Sequence, residues 1–236
     1  MLSLLSPHFF KKFSRAALPY LIIGTVITLA IGLYQALFIS PPDYQQGENV
    51  RIMYVHVPSA WLALGIYSFI AICSFSYLVW QTAMSYILAF AAAPIGTVFA
   101  LITLITGSLW GKPIWGTWWV WDARLTSMLV LFLLYVSFII IAHSGHNQHR
   151  ASKPACVIAL IGFINVPIVK FSVNIWYSLH QPASMLRLGS PTIHKSMLSP
   201  LIIMFIGFIM FFLLNLLMRA NYILNNRSKN DTCNNR

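Results

Sequence analysis

A chain of 236 residues that is 58% hydrophobic and 8% charged cannot have water as its main solvent, so it reads as an integral membrane protein. Its net charge of +11 is spread thinly between long apolar runs and forms no dense patch, which fits a membrane-orientation signal and argues against a nucleic-acid partner. Three cysteines without paired spacing, Cys73, Cys156 and Cys233, point to neither a disulfide framework nor a zinc site.

Lys11, Lys12 and Arg15 lead into a first apolar run over 17–39, long enough to span a bilayer. That run is near full spanning length and no small-residue cleavage pattern closes it, so a cleavable signal peptide is not expected. A polar loop with Pro41, Pro42, Asp43 and Glu48 precedes M-Y-V-H-V-P-S-A-W at 53–61. No charge occurs between Val57 and Gly111, and Trp80, Gln81 and Thr82 give the one short polar break, predicting spans over 58–80 and 84–108. A Trp-rich loop over 109–127 precedes a fourth span over 125–142. H-S-G-H-N-Q-H-R-A-S-K-P at 143–154 connects to a fifth over 155–177, which contains Asn165, Pro167, Lys170 and Asn174. Polar groups inside a span usually face a neighbouring helix or a site. Lys170 either snorkels to the interface or lines the same outer region as His180. A loop holding His180, Arg187, His194 and Lys195 precedes a sixth span over 198–218, and the Asn-rich remainder is expected to be disordered.

The expected architecture is therefore all-α and polytopic, with six transmembrane helices in one domain over 1–220 and a polar tail over 221–236. Lys11, Lys12, Arg15, Arg150, Lys153, Arg219, Arg227, Lys229 and Arg236 outnumber the basic residues of the opposite loops, Arg51, Lys112, Arg124, Arg187 and Lys195. Both termini are then cytoplasmic, or on the matrix side in a mitochondrion, and His56, the Trp-rich loop and His180 share the outer face.

The stretch W-G-K-P-I-W-G-T-W-W-V-W-D-A-R-L-T-S at 110–127 concentrates Trp110, Trp115, Trp118, Trp119 and Trp121, five of the eight Trp. Gly111, Pro113 and Gly116 break it, so it should be irregular or partly helical and present flat aromatic faces to a flat apolar ligand. The plainer alternative is an interfacial anchor. Neutral imidazoles are common iron ligands, and haem is held by one or two of them, so His56 and His180 could clamp one metal. The alternative for each is a solvated or hydrogen-bonded side chain. Arg51, Lys112, Arg124 and Arg187 are candidates for the carboxylate edge of a haem. Asp122 has no catalytic partner. It pairs with a cation, accepts backbone hydrogen bonds, or orients a ligand histidine. His143, His146 and His149 have helix-compatible metal spacing, but Gly145 lies among them and a solvated loop is the preferred reading.

These residues resemble a known family. The 110–127 run is similar to the signature of CcmC, the haem exporter protein C family of cytochrome c maturation, supported by 53–61 and by N-V-P-I-V-K-F-S-V-N-I-W-Y-S-L-H-Q-P at 165–182. Related haem ligases continue W-D-P with a Glu soon after, whereas this chain continues Trp121-Asp122-Ala123-Arg124. The resemblance implies that His56 and His180 are the axial ligands of a transient, non-covalent b-type haem held against the Trp platform. It also implies transfer to the haem chaperone CcmE, with no substrate turned over, beside the small membrane protein CcmD and the ABC transporter subunits CcmA and CcmB. The absence of C-x-x-C-H and of a P-loop fits that division of labour. The implied place is a bacterial inner membrane with the site on the periplasmic face, or a mitochondrial inner membrane. Ile175-Trp176 stands where the family pattern has a Trp pair, and no role carries over to His194. The rival reading is a permease exporting haem or another solute, kept open by Pro94 and Pro167 inside spans.

Overall fold

The computed structural model describes residues 6–144, 148–176, 178–180 and 193–234. Among these residues the secondary structure is helical apart from one isolated bridge between Asp43 and Gly47, and six helical stretches are long and apolar enough to cross a membrane. The six spans fall where the apolar runs place them, but most extend further, each for a local reason.

Helix α1 (Pro7–Tyr34) begins before the apolar run because the Ser6 hydroxyl accepts from the Phe9 N–H and Pro7 opens the first turn. A single π turn (Gln35–Ile39) prolongs it, and a 3-10 turn (Glu48–Ile52) leads into α2 (Met53–Trp80). That turn is a ready nucleus, so His56 lies in the first turn of α2, not in the loop before it. Trp80, Gln81 and Thr82 do form the break: Gln81 is left-handed at φ 53° and its N–H closes on the Tyr77 carbonyl. Helix α3 (Ala83–Trp115) runs on past 108 and through Pro113 until Gly116, at φ 77°, ends it. The first third of the Trp-rich stretch is therefore helical, and its irregular part is confined to 116–122.

Helix α4 (Ala123–His143) is capped by Asp122. The fifth span is two helices, α5 (Gln148–Phe163) and α6 (Asn165–Ile175), parted at Ile164. Pro167 is the cause: it has no N–H for the Phe163 carbonyl, and its ring crowds that carbonyl. The last helix, α7 (Lys195–Asn234), continues through residues whose composition alone reads as a disordered tail. Adding residues to a helix already formed needs no new nucleus.

Helices α2 and α3 form the central hairpin, with α4 and α5 on one side, α7 on the other and α1 outermost against α7. Alanines 89, 91, 92, 93 and 100 of α3 are fully buried and let its neighbours approach closely. At Gly96 a Cβ would stand 2.3 Å from the Tyr135 ring, and the Tyr135 hydroxyl donates to the Ala63 carbonyl at 2.6 Å, tying α4 to both central helices. Outward, α1 and the π turn after it expose Tyr20, Ile23, Val26 and Phe38 in the manner of a lipid-facing surface. The starts of α2, α4 and α7 and the ends of α1, α3 and α6 gather at one end of the bundle, and Gln46, His56, Trp110, Asp122 and His180 meet there.

Candidate functional site

His56 projects from the first turn of α2 onto α3. Its Nδ1 lies 3.0 Å from the Thr106 Oγ1, and the Thr106 hydroxyl spends its own proton on the Ile102 carbonyl at 2.6 Å. The oxygen therefore accepts and Nδ1 carries the hydrogen, which makes Nε2 the unprotonated nitrogen. Gly107 keeps the space open, since a Cβ there would stand 3.2 Å from the His56 Cε1. The indole of Trp110 meets the imidazole edge-on, with centroids 5.6 Å apart, and is fixed in turn by its Nε1–H donating to the Gln46 Oε1 at 2.9 Å.

His180 follows α6 and reaches the start of α4. Its Nδ1 lies 3.0 Å from Oδ2 of Asp122. The same carboxylate caps α4, accepting from the Leu125 N–H at 2.7 Å, and takes the Ser178 hydroxyl. Burial pushes the Asp122 carboxyl up, but these three donors together outweigh it and hold the group below its ordinary range. Burial pulls the His180 imidazole down against the opposing influence of Asp122. At neutral pH the pair is a carboxylate and a neutral imidazole, with the hydrogen on Nδ1. Here too Nε2 is the unprotonated nitrogen. The Trp115 ring packs edge-on to His180 with centroids 4.8 Å apart, and Gly111 gives it room.

Two imidazoles are thus set by the same device, an oxygen acceptor behind Nδ1, and each has an indole of α3 against it. Each ring lies within electrostatic reach of the other, and both lie within reach of Arg124, which also senses Asp122 and Lys170.

The five indoles divide. Trp110 and Trp115 stand on the histidines. Trp118 and Trp119, with Leu104, Ile105, Ser108 and Leu109, line an apolar groove of about 360 Å³. At 100° per residue these α3 positions lie on the face turned away from Thr106, Gly107 and Trp110. Trp121 is 75% exposed and touches Trp119 edge-on. The Nε1–H of Trp119 is buried with no hydrogen-bond partner among the described residues. The cations divide as well. Arg51 donates to the Ala36 and Leu37 carbonyls at 2.7 and 2.6 Å and pairs with Glu48, and Lys112 donates to the Gly116 carbonyl at 3.0 Å beside Trp118. Among the described cations, Arg124 is the one within electrostatic reach of both histidines. Arg187 and His146 lie outside the described residues, as does the His149 side chain; His143 bonds the Ile139 carbonyl and packs on Phe90.

Sequence reasoning missed Thr106, Gly107 and Ser178. A threonine or glycine in an apolar run reads as ordinary membrane-helix packing, and nothing in its spacing points to a histidine fifty residues away.

Fold and site together define a class: a polytopic helical membrane protein with two imidazoles, each held at Nδ1 by an oxygen, at one end of the bundle beside a Trp-rich stretch. The family model described as heme exporter protein C matches residues 1–234. Relatives include the heme exporter protein C of Bradyrhizobium diazoefficiens, 46% identical over 96% of this chain and 86% of its own length, and that of Escherichia coli K12, 44% identical over 88% and 83%. A putative cytochrome c biosynthesis ccmC-like mitochondrial protein of Marchantia polymorpha is 44% identical over 87% of each chain. The chain belongs to the haem exporter protein C family.

Proposed function

We propose that this protein holds haem for cytochrome c maturation and hands it to the chaperone CcmE. His56 and His180 supply the axial ligands through Nε2, and the haem is b-type, non-covalent and transient. The observation that carries this reading is the matched tautomer of the two histidines: each Nδ1–H is held by an oxygen, so each Nε2 is a preformed iron ligand. The Trp-rich cap supplies apolar surface, and the Trp119 Nε1–H, which has no partner among the described residues, is a donor available to a ligand. Arg124 offers charge for a haem carboxylate; Arg51, Lys112 and Arg187 are secondary candidates.

Positive-inside bias puts this end of the bundle on the periplasmic face of a bacterial inner membrane, or on the equivalent face of a mitochondrial one. CcmD and the transporter subunits CcmA and CcmB complete the assembly. The chain binds and transfers without turning over a substrate. The test is the haem content of CcmE isolated from cells in which this chain is the sole copy. Haem on CcmE with the wild type, and none with His56→Ala/His180→Ala at equal membrane abundance, supports delivery; equal loading with both overturns it.

A further inference from the structure

Two cations, Arg124 in the first turn of α4 and Lys170 in the last two turns of α6, lie within electrostatic reach of each other beside the contact between these helices. The helices run antiparallel, since the segment leaving α6 returns to the start of α4 through the His180 and Ser178 contacts to Asp122. The Asn165 amide donates to the Ser127 carbonyl at 2.8 Å and fixes their register. Counting outward from that bond at 1.5 Å per residue, Lys170 rises about 7.5 Å along α6 and Arg124 about 4.5 Å along α4. The two side chains thus reach nearly the same level, are both partly buried, and sense each other's charge.

Neither makes a direct ion pair among the described residues, although Arg124 senses the Asp122 carboxylate. The ion pairs among the described residues are Arg51 with Glu48 and His180 with Asp122. Asp122, the one acidic group near Arg124, already accepts from Leu125, Ser178 and His180. Two partly buried like charges without a direct ion pair at the end of apolar spans are costly, and such groups mark ligand sites.

We infer that Arg124 and Lys170 form a carboxylate-binding pair that receives the propionate edge of haem and fixes how the ring is turned between His56 and His180. This rests on the haem reading above. Lys170 acts as a positioning residue: it makes no bond to iron and sets the ligand's orientation by charge-assisted hydrogen bonding.

The test compares haem with haem dimethyl ester, whose propionates carry no charge, titrated into the full-length detergent-purified protein. Lys170→Met replaces a cation that makes no ion pair among the described residues with an apolar side chain of similar length, which an apolar span accommodates, so the variant folds and inserts. For Lys170→Met the Kd for haem rises roughly tenfold, the strength of one hydrogen bond to a charged group. The ester binds the wild type and the variant equally, Lys170→Arg restores haem affinity, and the bis-imidazole spectrum stays unchanged. Unchanged haem affinity in Lys170→Met overturns the inference. So does equal loss for haem and ester, which would mean that a lipid phosphate or a general packing effect occupies the pair. A wild type that binds no haem overturns the haem reading itself and is recognised before any variant is compared.

Discussion

The Asp122 carboxylate joins two roles in one group: Oδ1 accepts from the Leu125 N–H and starts α4, while Oδ2 accepts the His180 Nδ1–H at 3.0 Å. The helix cap and the orientation of a candidate iron ligand are therefore inseparable. Any motion of the α4 N-terminus moves the imidazole.

This relationship makes Asp122→Asn informative. Asparagine caps helices as well as aspartate does, so α4 and membrane insertion are retained. Its amide can present N–H₂ to His180 Nδ1, which moves the imidazole hydrogen to Nε2 and blocks the lone pair. Haem affinity should fall by about 10–100-fold, as for other groups that orient a metal ligand. Titration of the purified variant checks this, with circular dichroism as the control for fold.

Thr106 plays the corresponding part for His56. Thr106→Val keeps the shape and removes the acceptor, which costs about 1 kcal/mol, or roughly fivefold in haem affinity. Thr106→Ser keeps the oxygen and should bind as the wild type does. Equal affinities for the valine and serine variants would contradict the assigned hydrogen bond.

Gly107 should tolerate little. A Cβ there stands 3.2 Å from the His56 ring, and Gly107→Leu places a larger side chain in the same space. The expected product retains His180 as a ligand but loses His56, so its haem spectrum changes from low-spin six-coordinate to high-spin. A low-spin spectrum in this variant would show that His56 does not ligate from its observed position.

Away from the site, Gly96→Ala drives a methyl into the Tyr135 ring and disturbs the Tyr135 bond to the Ala63 carbonyl. Overpacking of this kind costs about 1–3 kcal/mol. A thermal-unfolding comparison in detergent should show a lower Tm, with haem coordination spectroscopically normal in the folded fraction.

Orientation is open to a labelling test. In a Cys233→Ser background, where Cys73 and Cys156 are buried, exposed Lys112→Cys should react with a membrane-impermeant maleimide only from the outer side and exposed Lys153→Cys only from the inner side. The reverse pattern would invert the arrangement of the site in the membrane.

Much of this architecture is legible in the sequence, because apolar run length decides a membrane span and Trp80, Gln81 and Thr82 give the one polar break in a long uncharged stretch. Helix ends are less legible. Pro113 and the glycines suggest irregular backbone, yet α3 reaches Trp115, where the packing of Trp110 and Trp115 against histidines of other segments outweighs local propensity. As candidates, His56, His180 and the clustered indoles are legible from residue type alone. Their division is not: that Trp110 and Trp115 face histidines while Trp118 and Trp119 line a groove follows from the helical phase of α3, which the sequence reading had ended before Trp110. Thr106 carried no signal, since its role exists only across the α2–α3 contact.

The most direct test of the central claim is the absorption spectrum of the detergent-purified protein beside that of His56→Ala/His180→Ala, with haem content measured on each. The account predicts a low-spin haem spectrum in the wild type that collapses in the double variant while the helical content is unchanged. Equal haem content and the same low-spin spectrum in both proteins would contradict it.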